Sequence, residues 1–179
     1  MRIIAGNLGS RQFESPKGHR THPMGDRIRT ALFNTLGDIQ GLTVLDAFGG
    51  SGALSFEAIS RGAQHATILE IDRDAYQVIL KNISTLGLSD QTTCYHINAR
   101  SWSYRNNALR YNLVFCDPPY EHLQESVIEK LAKHTAPEGL LVLSLPPRAD
   151  IRLPFIKFEL ISHKNFGDAH LFFYRKHEL

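Results

Sequence analysis

Short apolar runs alternate with amphipathic stretches along most of this chain. The runs at residues 43–47, 67–71, 92–97, 113–116 and 140–145 have the length of strands and few interior polar positions. Between them, residues 53–61, 73–86 and about 123–133 carry helical patterns. Ahead of them Ile28, Leu32 and Leu36 recur every fourth residue, which predicts a helix over 26–36 that Gly37 can end. Apolar strands separated by helices predict a parallel sheet covered on both faces. The rhythm breaks near the end, where 155–162 and 171–174 are strand-like and the short 163–170 segment between them leaves no room for a helical crossover. That pair should be antiparallel. At the start, residues 2–13 read as a small hairpin with turn chemistry at Gly6-Asn7 and Gly9-Ser10, followed by a polar loop with Pro16, Gly18 and Pro23. The expected fold is α/β: a mostly parallel seven-stranded sheet with helices on both faces, a C-terminal antiparallel hairpin and a small N-terminal β-hairpin appendage. The division falls between a hairpin and loop at 1–24 and a main domain at 25–179.

The chain has 179 residues, 42% hydrophobic and 21% charged, which fits one globular domain. Its charge is unevenly placed. Residues 1–30 hold Arg2, Arg11, Lys17, Arg20, Arg27 and Arg29 against Glu14 and Asp26, a net of +4 on a chain whose total is +2. A basic arm on a slightly acidic body predicts contact with phosphates, and those six cations are the candidates. No apolar run approaches the roughly 20 residues of a membrane span, and Met1-Arg2-Ile3-Ile4 turns polar too soon for a signal-peptide core. Cys94 and Cys116 lie in apolar stretches without metal-ligand spacing, so they are read as buried thiols of a cytoplasmic protein. His19 and His22 have ligand-like spacing but no further cluster, and no metal site is expected.

The first chemical signal is Asp46-Ala47-Phe48-Gly49-Gly50-Ser51-Gly52-Ala53, an apolar strand running into a glycine turn and then a helix. Ligands of open α/β sheets bind at this carboxyl end. A dinucleotide fingerprint would need glycine or alanine at position 55, where Ser55 stands. Asp46 at the strand end favours a cationic ligand over a diphosphate. S-adenosylmethionine, with its amino group and sulfonium, fits better than a nicotinamide cofactor. Glu70 follows Asp46 by 24 residues, near the spacing of about 20 for an acid that accepts bonds from ribose hydroxyls. Asp72 reads as a helix cap. Asn98, ending the third strand, could bond the adenine edge. The candidate cofactor set is Asp46, Phe48, Gly50, Gly52, Glu70, Ile71, Asn98, Ala99 and Asp117.

The second signal is Asp117-Pro118-Pro119-Tyr120 after the strand 113–116. Two prolines fix φ and donate no backbone hydrogen bond, so they hold nearby carbonyls rigidly. The Asp117 carboxylate and the Pro118 carbonyl can then both accept from one NH₂ group, and Tyr120 offers a stacking face. An exocyclic amine on a base is a poor nucleophile. Two acceptors aim its lone pair and stabilise the positive charge that develops on nitrogen. Asp117, Pro118, Pro119 and Tyr120 are therefore the candidate catalytic residues, and the target base must be unpaired or flipped out.

In matching order along nearly the whole chain, Arg2-Ile3-Ile4-Ala5-Gly6, Asp26-Arg27-Ile28-Arg29, Ala31-Leu32-Phe33-Asn34, the stretch from Asp46 to Leu54, Leu69-Glu70-Ile71-Asp72, Asn98-Ala99 and Asp117-Pro118-Pro119-Tyr120 resemble the bacterial 16S ribosomal RNA guanine-N2 methyltransferases of the RsmD type. That resemblance implies a Rossmann-like class I methyltransferase with an RNA-contacting appendage. It implies methyl transfer from S-adenosylmethionine to a guanine amino group, ribosomal RNA or the 30S subunit as partner, and a monomer. The chain departs from the family at Met24-Gly25, where threonine or serine is usual, at Thr30, where glutamate is usual, and at Ser144-Leu145-Pro146-Pro147, where an acidic residue is usual. Asp-Pro-Pro-Tyr alone also fits adenine-N6 methyltransferases of DNA or RNA. An RNA-binding assembly factor without turnover is the non-enzyme alternative.

Overall fold

The computed structural model describes residues 1–17, 24–149, 151–154 and 156–178. Arg20, His19, His22, Gly18 and Pro23 lie outside them. The described chain runs α1 (Asp26–Leu36), β1 (Thr43–Asp46), α2 (Ala53–Ser60), β2 (His65–Glu70), α3 (Arg73–Leu86), β3 (Thr92–His96), α4 (Ala99–Arg105), β4 (Tyr111–Cys116), a 3₁₀ turn (Tyr120–His122), α5 (Glu125–Ala132), β5 (Thr135–Leu145), β6 (Phe158–Asn165) and β7 (His170–Lys176). The strands form one seven-stranded sheet in the order β3-β2-β1-β4-β5-β7-β6. β1 to β5 pair in parallel, and β7 pairs antiparallel with both β5 and β6. No helix among the described residues is long and apolar enough to cross a membrane.

Strand alternation sends successive side chains to opposite faces, and each face builds its own core. Val44, Leu113, Phe115, Val142 and Phe173 meet α1, α2 and α3 on one face. Leu45, Val114, Cys116, Leu141 and Leu143 meet α4 and α5 on the other. α3 shows how the sequence sets an element. The Asp72 side chain caps its start by accepting from Asp74 and Ala75, Gly87 ends it at φ 72°, and Ala75, Ile79, Ile83 and Leu86 form its buried stripe. α1 starts without a side-chain cap at Gly25.

The N-terminal arm is a single-bridge hairpin, Arg2 opposite Gln12, rather than two strands. Its Ile3 and Phe13 belong to the main core, and Phe13 packs edge-on against Phe56 of α2 at 5.3 Å. α2 is therefore enclosed between sheet and arm, and all eight of its residues are buried. Glu57, in the middle of this helix, accepts from the Ile4 and Ala5 backbone amides at 2.7 and 3.1 Å. Gly6 crosses so close to α2 that a Cβ there would lie 1.8 Å from the Ser60 carbonyl oxygen.

Candidate active site

The chain moves outward from β1 through β2 to β3, then returns to β4 on the other side of β1. The carboxyl ends of β1 and β4 thus flank the point where strand order reverses, where open α/β sheets bind ligands. The candidate residues at the ends of β1, β2, β3 and β4 all come to this edge. Ala47 donates to the Phe115 carbonyl at 3.1 Å, Gly49 to Leu69 at 2.7 Å, and Ile97 to Glu70 at 2.9 Å, which ties the four strand ends together.

Two glycines of the turn do different jobs. Gly52 has φ 79° as the residue before α2, and a Cβ there would strike the Phe56 ring at 2.6 Å, so packing and conformation both demand it. Gly50 has φ 57°, and a Cβ there would meet nothing nearer than the Phe48 carbonyl oxygen at 3.9 Å. Its open side faces free space, which a ligand can fill. Beside it, the Glu70 carboxylate accepts from Gly50 N–H at 2.6 Å and from Asp72 N–H at 2.7 Å. The Ile71 amide is a third donor to this carboxylate, which still leaves it a lone pair for a hydroxyl donor. Ile71, 63% exposed, offers an apolar face next to it.

The edge is strongly acidic. Asp46 is buried and accepts from Ser55 Oγ at 2.8 Å. Burial pushes its pKa up to about 7 against that bond, with Asp117 and Glu70 repelling its charge. Asp117 is partly exposed in area, yet desolvation of its carboxyl pushes its pKa up to about 6, opposed by a hydrogen bond with Ser144. Burial also raises Glu70 against its backbone donors. Three carboxyls with raised pKa values at three neighbouring strand ends make a site that a cation would relieve. The thiols take no part: burial pushes Cys94 up to about 12 and drives Cys116 upward as well.

Ser55, whose presence breaks the dinucleotide spacing, is thus the hydroxyl partner of Asp46. Ser144 is a second residue whose role the sequence did not reveal: it meets the Tyr120 hydroxyl at 2.9 Å and hydrogen-bonds Asp117. It stands where the resemblance led us to expect an acid, which was the available signal. Tyr120 is 38% exposed, so its hydroxyl is anchored while part of its ring remains open. Asn98 is placed differently from expectation. Its Oδ1 caps α4, accepting from Arg100 and Ser101 at 2.9 and 3.2 Å, which leaves only its NH₂ for a ligand. Ala99 is the buried first residue of α4, and Phe48 is partly buried at the loop.

The arm cations separate. Lys17 and Arg27 are exposed. Arg2 is paired with Asp26 at 3.0 Å and remains largely exposed. Arg11 reaches the Leu86 and Thr85 carbonyls at 3.5 and 3.4 Å, at the end of α3. Arg29 corrects the phosphate-contact expectation. Its side chain is 0% exposed and donates to the Arg2 carbonyl at 2.7 Å and to Asp26 at 2.9 Å, with Glu57 3.9 Å away. It holds the arm from inside and cannot reach a phosphate.

The family described as conserved hypothetical protein 95 matches residues 1–175 of this chain. The chain belongs to this family. Among its relatives, the ribosomal RNA small subunit methyltransferase D of Escherichia coli is 37% identical over 131 residues, 71% of this chain and 65% of that protein. The matched segment therefore spans slightly under two thirds of that relative. The solved Escherichia coli protein yhhF, a proposed methyltransferase, superposes with a TM-score of 0.89 at 32% identity, over 100% of this chain and 99% of the other. SMU.776, a proposed methyltransferase solved with SAH, shares the fold at 17% identity, with a TM-score of 0.68 over 83% of this chain and 48% of its own. The yhhF superposition extends over the whole chain, so that protein has the same fold from the N-terminal arm to β7.

Proposed function

We propose that this protein transfers the methyl group of S-adenosylmethionine to the exocyclic N2 amine of a guanine in small-subunit ribosomal RNA. The observation that carries the reading is the juxtaposition of the Asp117-Pro118-Pro119-Tyr120 corner with the acidic glycine turn. Phe115, two residues before Asp117, pairs with Asp46 across adjacent parallel strands. The relatives named above support the RNA class of substrate.

The residues present fit the cofactor. Asp46, Glu70 and Asp117 supply negative charge for a ligand bearing an ammonium and a sulfonium, and Gly50 leaves the space. When bound, the sulfonium supplies an already activated methyl group. The chain's own residues then do the work of alignment. The Asp117 carboxylate and the Pro118 carbonyl take the two N–H groups of the target amine, and the partly open Tyr120 ring packs on the base. Alignment of this kind is worth roughly 7–11 kcal/mol of barrier, so no strong general base is required. The exposed cations of the arm and α1, Arg2, Arg11, Lys17 and Arg27, are assigned to phosphates in this reading, which their exposure supports.

The test is to incubate the protein with labelled S-adenosylmethionine and, separately, unmethylated ribosomal RNA, 30S subunits and duplex DNA, then digest and identify the modified nucleoside. Labelled N2-methylguanine from RNA or subunits is the expected product. N6-methyladenine, or label in DNA alone, would overturn the assignment.

A further inference from the structure

Away from the glycine turn, the structure holds a cavity of about 420 Å³ lined by residues 147–149 and 151–153 and by side chains of β6 and β7. We propose that this groove is a subsite for a nucleotide of single-stranded RNA flanking the target base. The inference rests on the reading of the chain as an RNA methyltransferase.

Its wall is a ladder of rings. Tyr174 and Phe172 are near-parallel with centroids 6.5 Å apart, and Phe172 stacks on His163 at 4.5 Å and 9°. His163 is exposed and ends the ladder, with His170 5.1 Å to its side. The two cations of the lining are Arg148, which is exposed, and Arg152. Among the described lining residues none is acidic. An aromatic platform with the exposed Arg148 at its side suits a base joined to a phosphate, since stacking is indifferent to base identity and the cation takes the backbone. The volume lies in the range of small-ligand pockets, about 300–1,000 Å³.

Position links the groove to the catalytic corner. Ser144, which holds the Tyr120 hydroxyl, pairs with Leu171, and its neighbour Leu145 pairs with His170. The ladder therefore stands at the same carboxyl end of β5, on the opposite face. Strand spacing puts β6 about 10 Å from β5. The β6–β7 turn comes near the corner as well, because Asp168 is among the charges that raise the Tyr120 pKa. RNA leaving the corner over the end of β5 reaches the rings within a few nucleotides.

The test uses the full chain with S-adenosylmethionine and a fluorescent single-stranded RNA of about twelve nucleotides, within the length such grooves hold. His163→Ala should weaken RNA binding about tenfold, raise KM for RNA in methyl transfer, and leave kcat and S-adenosylmethionine affinity unchanged. His163→Phe, which keeps the platform, should restore binding. Arg148→Ala should weaken binding and reduce the salt slope by about one. RNA affinity unchanged in both alanine variants would overturn the subsite. So would a His163→Phe variant as weak as His163→Ala, or variants that alter only self-association. If the wild type binds RNA but transfers no methyl group, the enzymatic reading fails while the binding comparison still decides the groove.

Discussion

Replacing Glu57 with alanine should unfasten the N-terminal arm from α2. Glu57 is fully buried and takes four interactions: the amides of Ile4 and Ala5, the Arg61 Nε at 2.7 Å, and the Arg29 guanidinium at 3.9 Å. Losing one partner of a buried ion pair costs about 3–5 kcal/mol, and each amide left without an acceptor about 1–3 kcal/mol. These losses do not add, because the arm can lift and let water in. Lifting exposes Ile3 and Phe13, at about 1.5–3 kcal/mol each. Staying in place sums to about 5–11 kcal/mol and lifting to about 3–6 kcal/mol, so the cheaper route, lifting, sets the loss at about 4 kcal/mol. For a chain of this size each kcal/mol moves Tm by about 2–4 °C, so the melting temperature should fall by about 8–16 °C. Calorimetry gives that number, and hydrogen exchange locates it at the Ile4, Ala5 and Leu8 amides. A drop under about 3 °C with those amides still protected would refute the reasoning.

Asp117→Ala should reduce kcat by about 10²–10³-fold while S-adenosylmethionine affinity, measured by calorimetry, falls far less, because Asp46 and Glu70 remain to face the cofactor's positive charge. Comparable losses in both would remove Asp117 from the chemistry. A pH effect on stability follows from Asp46, whose pKa stands at about 7 against an ordinary 3.8. The folded state then holds this proton more tightly than the unfolded one. Its contribution is full below about pH 4 and is lost as pH rises through about 7. Without cofactor, wild-type Tm should fall more steeply between about pH 4 and about pH 7 than that of Asp46→Asn. Parallel curves would show that Asp46 is not desolvated as the structure implies.

Where the sequence carried a stop or start signal, the elements were legible to the residue. α1 and α3 span the expected 26–36 and 73–86 because Asp72, Gly37 and Gly87 punctuate them. α4 escaped because its seven residues are too few for a period, and its cap Asn98 was read as a ligand contact. β5 begins at Thr135 rather than 140, since Pro137, Gly139 and Glu138 at φ 57° disguise its irregular first half. At the site, strand ends and glycines announced the cofactor edge, but Ser55 and Ser144 matter through partners in other segments. Arg29 was illegible for the same reason. Nothing local distinguishes a solvated arginine from one whose acceptor is the Arg2 carbonyl, 27 residues away.

A guanidinium locked beneath the first dozen residues turns that segment from a tether into a fixed template. Its outward cations hold set distances from one another before any partner arrives. A partner docking there need not freeze a wandering chain, a loss that commonly erodes the affinity of basic tails. If the arm meets phosphates as proposed, fit to the spacing of those charges, rather than their number, would decide which partners it takes.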